Sequence, residues 1–174
     1  MISTSPTRIV AALTLLATCI GVTVIASRLP HAQSSAPTGA RPPTALFMCP
    51  HGAAKSVLAS AYFQRVARER GLNVRVISAG TDPDPQVAPA VARHLKENGY
   101  DVPVAKPRRA TANDIAAADV VVSIGCDRKD LPAPRGTLLM WDDVPAPSED
   151  FARADEKIRE RVMALIDELV RKQR

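Results

Sequence analysis

Residues 44–56 read TALFMCPHGAAKS, and the change of pattern inside this stretch decides the fold. Ala45-Leu46-Phe47-Met48 is a short uncharged run, the mark of a buried strand. Cys49-Pro50-His51-Gly52 breaks it into a turn, and from Ser56 a helical period takes over. Leu58, Ala61, Tyr62 and Val66 recur at steps of three and four as far as Arg70, and Gly71 stops the run. The result is a strand, a tight loop and a helix in immediate succession.

Working outward, residues 74–79 (VRVISA) predict a second strand and residues 86–98 a second helix closed by Gly99. Thr111 is placed to cap a short helix through Asp114 to Ala118, and residues 120–124 (VVVSI) form the most β-branched strand of the chain. Leu138-Leu139-Met140-Trp141 supplies a fourth strand. Ser148 is expected to cap a long last helix with Phe151, Ile158, Val162, Leu165, Ile166 and Leu169 on one stripe. Strands alternating with helices predict an α/β three-layer sandwich with a short four-stranded parallel sheet, whose ligands gather at the carboxyl ends of the strands. Three chemically suggestive segments, at Cys49, Cys126 and Asp142-Asp143, follow such strand ends.

Charge and cysteine content exclude several classes. Of the 174 residues, 23 are Lys or Arg and 18 Asp or Glu, a net charge of +5. Arg8, Arg28 and Arg41 all precede Thr44, so residues 44–174 keep 20 bases against 18 acids, only +2. That balance argues against a nucleic-acid-binding surface. Three cysteines, one of them (Cys19) in an apolar run, cannot build a disulfide framework. With His31 in the linker and His94 read as a solvated helix residue, no His, Cys and Asp spacing resembles a metal site, and no metal or cofactor is expected.

The first 27 residues read differently from the rest. Residues 9–26 (IVAALTLLATCIGVTVIA) form an 18-residue uncharged run between Arg8 and Arg28, at the lower edge of what spans a bilayer. Residues 1–27 are therefore expected to be a cleaved signal peptide or a retained transmembrane anchor, and residues 28–43 a Pro/Ser-rich linker. On that reading residues 44–174 are the functional domain, in contact with a membrane through the N-terminal segment, and the protein is membrane-anchored or exported.

The loop after the first strand carries the chemistry. A turn from Cys49 to Lys55 can wrap its backbone N–H groups around one anion, and a helix N-terminus adds positive potential at the same place. Phosphate or arsenate is the natural guest. The same N–H groups and Lys55 favour the thiolate form of Cys49, the nucleophilic one, and Ser56 can donate a hydrogen bond to the sulfur. Taken alone, a cysteine at a strand end is as readily a small buried hydrophobe.

The chain resembles the low-molecular-weight protein tyrosine phosphatase superfamily, which includes the thioredoxin-coupled arsenate reductases. ALFMCPHGAAKS is similar to that family's strand, Cys-x5-Arg-Ser loop and helix, Ser78-Ala79-Gly80-Thr81 to its SAGT segment, residues 120–124 to its next strand, and Trp141-Asp142-Asp143-Val144-Pro145 to the loop bearing its general acid. The resemblance implies hydrolysis of phosphomonoesters, phosphotyrosine in a phosphoprotein among them, through a cysteinyl-phosphate. Cys49 would be the nucleophile, Lys55 would hold the anion, and Asp143, nearest the proline, would be the proton donor with Asp142 in reserve. His51, Gly52, Ala53, Ala54 and Ser56 would line the oxyanion. An arsenate reductase using Cys49 and Cys126, and a catalytically silent oxyanion-binding module, are the alternatives. Three departures bear on the choice: Lys55 replaces an arginine whose bidentate fork a point charge cannot reproduce, Pro50 lacks an N–H, and Val144 separates Asp143 from Pro145. Turnover is expected to be reduced or abolished by the first of these.

Overall fold

The computed structural model describes residues 41–100 and 106–172. Its elements run β1 (Thr44–Cys49), α1 (Lys55–Glu69), β2 (Arg75–Gly80), α2 (Pro89–Glu97), α3 (Ala112–Ala117), β3 (Val120–Ser123), β4 (Thr137–Met140) and α4 (Phe151–Lys172). The four strands form one sheet in the order β2-β1-β3-β4, every pair parallel. This is the expected α/β architecture.

β1 lies in the middle of the sheet and is buried along its whole length. Successive side chains of a strand face opposite ways, so Ala45, Phe47 and Cys49 join the core beneath α1 and α4, while Leu46 and Met48 join a second core with Ile115, Val121 and Cys126. Phe47 anchors the first core, its ring 5.3 Å from Phe63 and 6.1 Å from Trp141. Ala154, Ile158, Val162, Leu165 and Ile166 form the buried stripe of α4, which packs with α1 over the same sheet face. α1 ends where Gly71, at φ +69°, lets the chain turn back and the Leu72 N–H reach the Ala67 carbonyl at 2.8 Å.

Two helix starts differ from expectation. α2 begins at Pro89 rather than at residue 86, because proline is favoured at the first helical position and Ala88 before it is extended. α4 begins at Phe151 and is capped by Asp150, whose carboxylate accepts the Arg153 N–H at 2.9 Å; the Glu149 and Asp150 N–H groups are spent on a turn to the Ala146 carbonyl. Ser148 is therefore not the cap. Thr111, by contrast, does cap α3, in a reciprocal box with Asp114.

No helix among the described residues is long and apolar enough to cross a membrane. This corrects the expectation of a transmembrane helix or signal peptide, and with it the expected membrane contact and the membrane-anchored or exported location. The longest helix, α4, is amphipathic, with Arg, Asp, Glu and Lys between its apolar positions. The segment on which the expectation rested, residues 9–26, lies outside the described residues, as do residues 28–40 of the linker.

Candidate functional site

Cys49 closes β1, and the backbone that follows is held by its carbonyls. The Pro50 carbonyl accepts the Asp82 N–H at 2.8 Å and the Thr81 hydroxyl at 3.3 Å, the His51 carbonyl accepts the Asp84 N–H at 3.0 Å, and the Ala53 carbonyl accepts the Ala88 N–H at 3.0 Å. In a trans peptide the N–H points opposite to the C=O, so binding these carbonyls to the β2–α2 connection turns the His51 and Ala54 N–H groups the other way. The first N–H groups of α1 add to them: Ala54, the residue before the helix, has no side chain that could cap it. The loop thus gathers unspent donors beside the strand end, which is what an anion requires.

The shape depends on a close backbone approach. Gly52, at φ +58°, lies against the end of β2, where a Cβ on Gly80 would stand 2.6 Å from the Gly52 nitrogen. Neither residue can carry a side chain without moving the loop. Behind the loop, fully buried Ser56 places its Oγ 3.3 Å from the Cys49 Sγ. Lys55 reaches across the strand ends to donate to the Val144 carbonyl at 3.4 Å, and Gly125, at φ +76°, makes room for it: a Cβ there would stand 2.7 Å from the ammonium nitrogen.

Above the loop is a cleft of about 480 Å³ whose lining includes Cys49, His51, Ala53, Ala54, Lys55 and Asp84. Ala88, Val91, Pro147 and Phe151 make its remaining wall largely apolar. The structure therefore brings together six of the eight residues singled out in the sequence: five line the cleft, and Ser56 supports the sulfur. Gly52 lies against β2 as the brace of the loop.

Asp143 is not brought to them. Trp141 and Val144 turn into the core, only 3% and 4% exposed, and the two residues between them turn outward. Asp143 pairs there with Arg161 of α4 at 2.8 Å, and that guanidinium holds its carboxyl below the ordinary range and so in the ionised form. Neither Asp142 nor Asp143 lines the cleft. The pairing joins the β4–α4 connection to a residue 18 positions further on in α4, and no local pattern signals it.

Cys126 follows β3 and is buried in the opposite core with Met48 and Ile115. Burial pushes its thiol above the ordinary cysteine value, opposed by the Ser123 side chain; the charge of Cys49 raises it further and that of Lys55 lowers it. Cys126 is thus within electrostatic reach of both residues of the loop. His94, read from sequence as a solvated residue, instead lies against Asp155 at 3.3 Å and the Tyr62 hydroxyl at 3.1 Å. Arg159 completes that cluster, reaching Asp155, Tyr62 and Tyr100. Arg108 and Arg109 form surface ion pairs with Asp114 and Asp82.

The profile of the family described as low molecular weight phosphotyrosine protein phosphatase matches residues 44–136. A Halobacterium salinarum protein, provisionally named an arsenate reductase, is 28% identical over 127 residues, which are 70% of this chain and 89% of that protein. Among solved structures, the thioredoxin-dependent arsenate reductase of Corynebacterium glutamicum is similar with a TM-score of 0.67 and 28% identity over 77% of this chain; the match spans 65% of that chain, a little under two thirds. A low molecular weight phosphotyrosine phosphatase of Vibrio cholerae O395 shares the fold with a TM-score of 0.65 at 23% identity, over 74% of this chain and 97% of that one.

Proposed function

The chain belongs to the low molecular weight phosphotyrosine protein phosphatase family, and from that membership we propose that it hydrolyses phosphomonoesters through a cysteinyl-phosphate on Cys49. The observation that carries the reading is the convergence of the Cys49 sulfur, the outward-bonded loop with its unspent N–H groups, and the Lys55 side chain on one cleft. The thiolate attacks phosphorus, the S–P bond forms and the bond to the ester oxygen breaks. The equatorial oxygens take hydrogen bonds from the His51 and Ala54 N–H groups and the start of α1, while the Lys55 ammonium supplies a cation. Ser56 donates to the sulfur and stabilises it as attacking and leaving group. Water then cleaves the S–P bond.

Two features refine the reading. A tetrahedral oxyanion is comparable to a few water molecules of about 30 Å³ each, so a cleft of about 480 Å³ leaves room for an organic group, and its apolar wall suits an aryl or alkyl ester. A phosphoprotein side chain is one such group. Replacement of arginine by Lys55 gives up the bidentate fork, so turnover is slower than an arginine loop would support. The activity is assigned to residues 44–174.

A second reading, arsenate reduction, is favoured by Cys126 and by the 28% identity to proteins named as arsenate reductases. Cys49 would bond to arsenic with loss of water. Attack of the Cys126 thiolate on the Cys49 sulfur would then break the S–As bond, leaving its electron pair on arsenic as arsenite and a disulfide between the cysteines, which an external thiol reduces. Steady-state hydrolysis of an aryl phosphate by the full chain, with Cys49→Ser as control, tests the first reading. Arsenate-dependent consumption of an added thiol that Cys126→Ser abolishes would select the second.

A further inference from the structure

Hydrolysis through Cys49 needs a proton for the departing oxygen, and the aspartate expected to give it is held in an ion pair with Arg161, off the cleft. We propose that His51, oriented by Asp84, is the proton donor of this site, an inference that rests on the hydrolase reading above. Of the titratable side chains lining the cleft, Cys49 is the nucleophile and Lys55 the cation that faces the anion, which leaves His51 and Asp84. Imidazole is the side chain that both gives and takes a proton near neutrality.

Its placement is specific. His51 stands two residues after the nucleophile on the loop that the anion occupies, so loop and donor move as one piece. Asp84 comes from the β2–α2 connection and meets His51 twice: its N–H donates to the His51 carbonyl at 3.0 Å, and its Oδ1 lies 3.4 Å from the ring Nδ1. The carboxylate takes the Nδ1 side of the ring and leaves Nε2 to serve the departing group, as carboxylates do for catalytic imidazoles. Asp84 touches no substrate in this scheme and is a positioning residue.

The step balances without another reactant. As the Cys49 S–P bond forms and the P–O ester bond breaks, the proton of protonated His51 passes from Nε2 to the departing oxygen, giving an alcohol or phenol and neutral imidazole. In the second half, water attacks phosphorus, its proton passes to Nε2, and the S–P bond breaks to return thiolate and phosphate. Each turnover restores the starting protonation of both residues.

Leaving-group dependence tests this, because a poor leaving group needs the proton and a good one does not. With the full chain, formation of phospho-Cys49 is followed for phenyl phosphate and for 4-nitrophenyl phosphate in wild type, His51→Gln, Asp84→Asn and Asp84→Glu. His51→Gln is expected to lose about 10²- to 10⁴-fold on phenyl phosphate and less than about tenfold on 4-nitrophenyl phosphate, whose phenolate departs unaided. Asp84→Asn follows the same split more weakly, and Asp84→Glu restores part of it. The side chains are 66% and 50% exposed, so these substitutions leave folding intact. Equal losses on both substrates, or none, overturn the proposal alone. A wild-type chain that never phosphorylates Cys49 overturns the hydrolase reading as well.

Discussion

The loop is braced by the end of β2, and Gly80→Ala should show it. An ideal Cβ on Gly80 would stand 2.6 Å from the Gly52 nitrogen and 2.9 Å from both the His51 carbonyl carbon and the Pro50 oxygen. The first distance is about 0.8 Å short of the 3.4 Å at which ordinary contact begins. All three atoms are backbone and belong to the anion-binding loop, so no rotamer change relieves the collision and the loop itself must move. Overpacking of this kind costs about 1–3 kcal/mol, roughly 3–15 °C in melting temperature for a domain of this size. A displacement approaching 1 Å at a reacting centre lowers turnover about 10²-fold. Gly71→Ala is the matched control: it sits at φ +69° with nothing within 4 Å of the new Cβ, so it carries the backbone strain without the collision. Thermal unfolding and aryl phosphate hydrolysis on both variants separate the effects, with Gly71→Ala losing about 1 kcal/mol of stability and retaining activity. A Gly80→Ala protein that hydrolyses substrate at the wild-type rate would refute the claim that this contact shapes the site.

Lys55→Ala removes a charged donor from the site and should weaken inorganic phosphate inhibition about 10- to 100-fold, corresponding to about 1.5–3 kcal/mol. Gly125→Ala should weaken it in the same direction, because the new methyl occupies space 2.7 Å from the Lys55 ammonium; phosphate inhibition constants read both. Asp114, held below its ordinary value of 3.8 by Arg108 and by the α3 capping box, favours the folded state above that value and loses this contribution as pH falls through its lowered pKa. Asp114→Asn should therefore cost about 1 kcal/mol at neutral pH and flatten the acid limb of a melting profile. Cys126 has the opposite sign: burial raises its thiol above 9.0, so its contribution is complete below 9.0 and is lost as pH rises through the raised value. Melting of Cys126→Ser should fall less steeply at alkaline pH than melting of the wild type.

The fold was legible wherever one local pattern spoke alone. The uncharged run before Cys49, the β-branched run at residues 120–124 and the Thr111 cap each fall within a residue of an observed element. Helix starts were less so, since Ser148 and Asp150 are both capping residues and the choice depends on which carbonyl takes the turn N–H groups. At the site, the strand–loop–helix unit was legible in its own residues, and the roles of Cys49, the loop and Ser56 were implied by the family resemblance. Asp143 does not, because Arg161 reaches it only once α4 has packed across the sheet. His94 fails for the same reason: its partners, Tyr62 and Asp155, come from α1 and α4. The bracing of Gly52 by Gly80 is likewise a contact between the loop and the end of β2, 28 residues further along the chain, and nothing in the sequence beside either glycine signals it.

On this reading the Cys49 sulfur and a bound oxyanion share one crook of backbone. Alkylation of Cys49 by iodoacetamide, followed by peptide mass analysis in the presence of increasing inorganic phosphate, tests this without requiring turnover. Saturable protection of Cys49 by phosphate is expected, lost in Lys55→Ala at the same concentrations, with Cys126 unaffected. Alkylation of Cys49 at a rate indifferent to phosphate would contradict it.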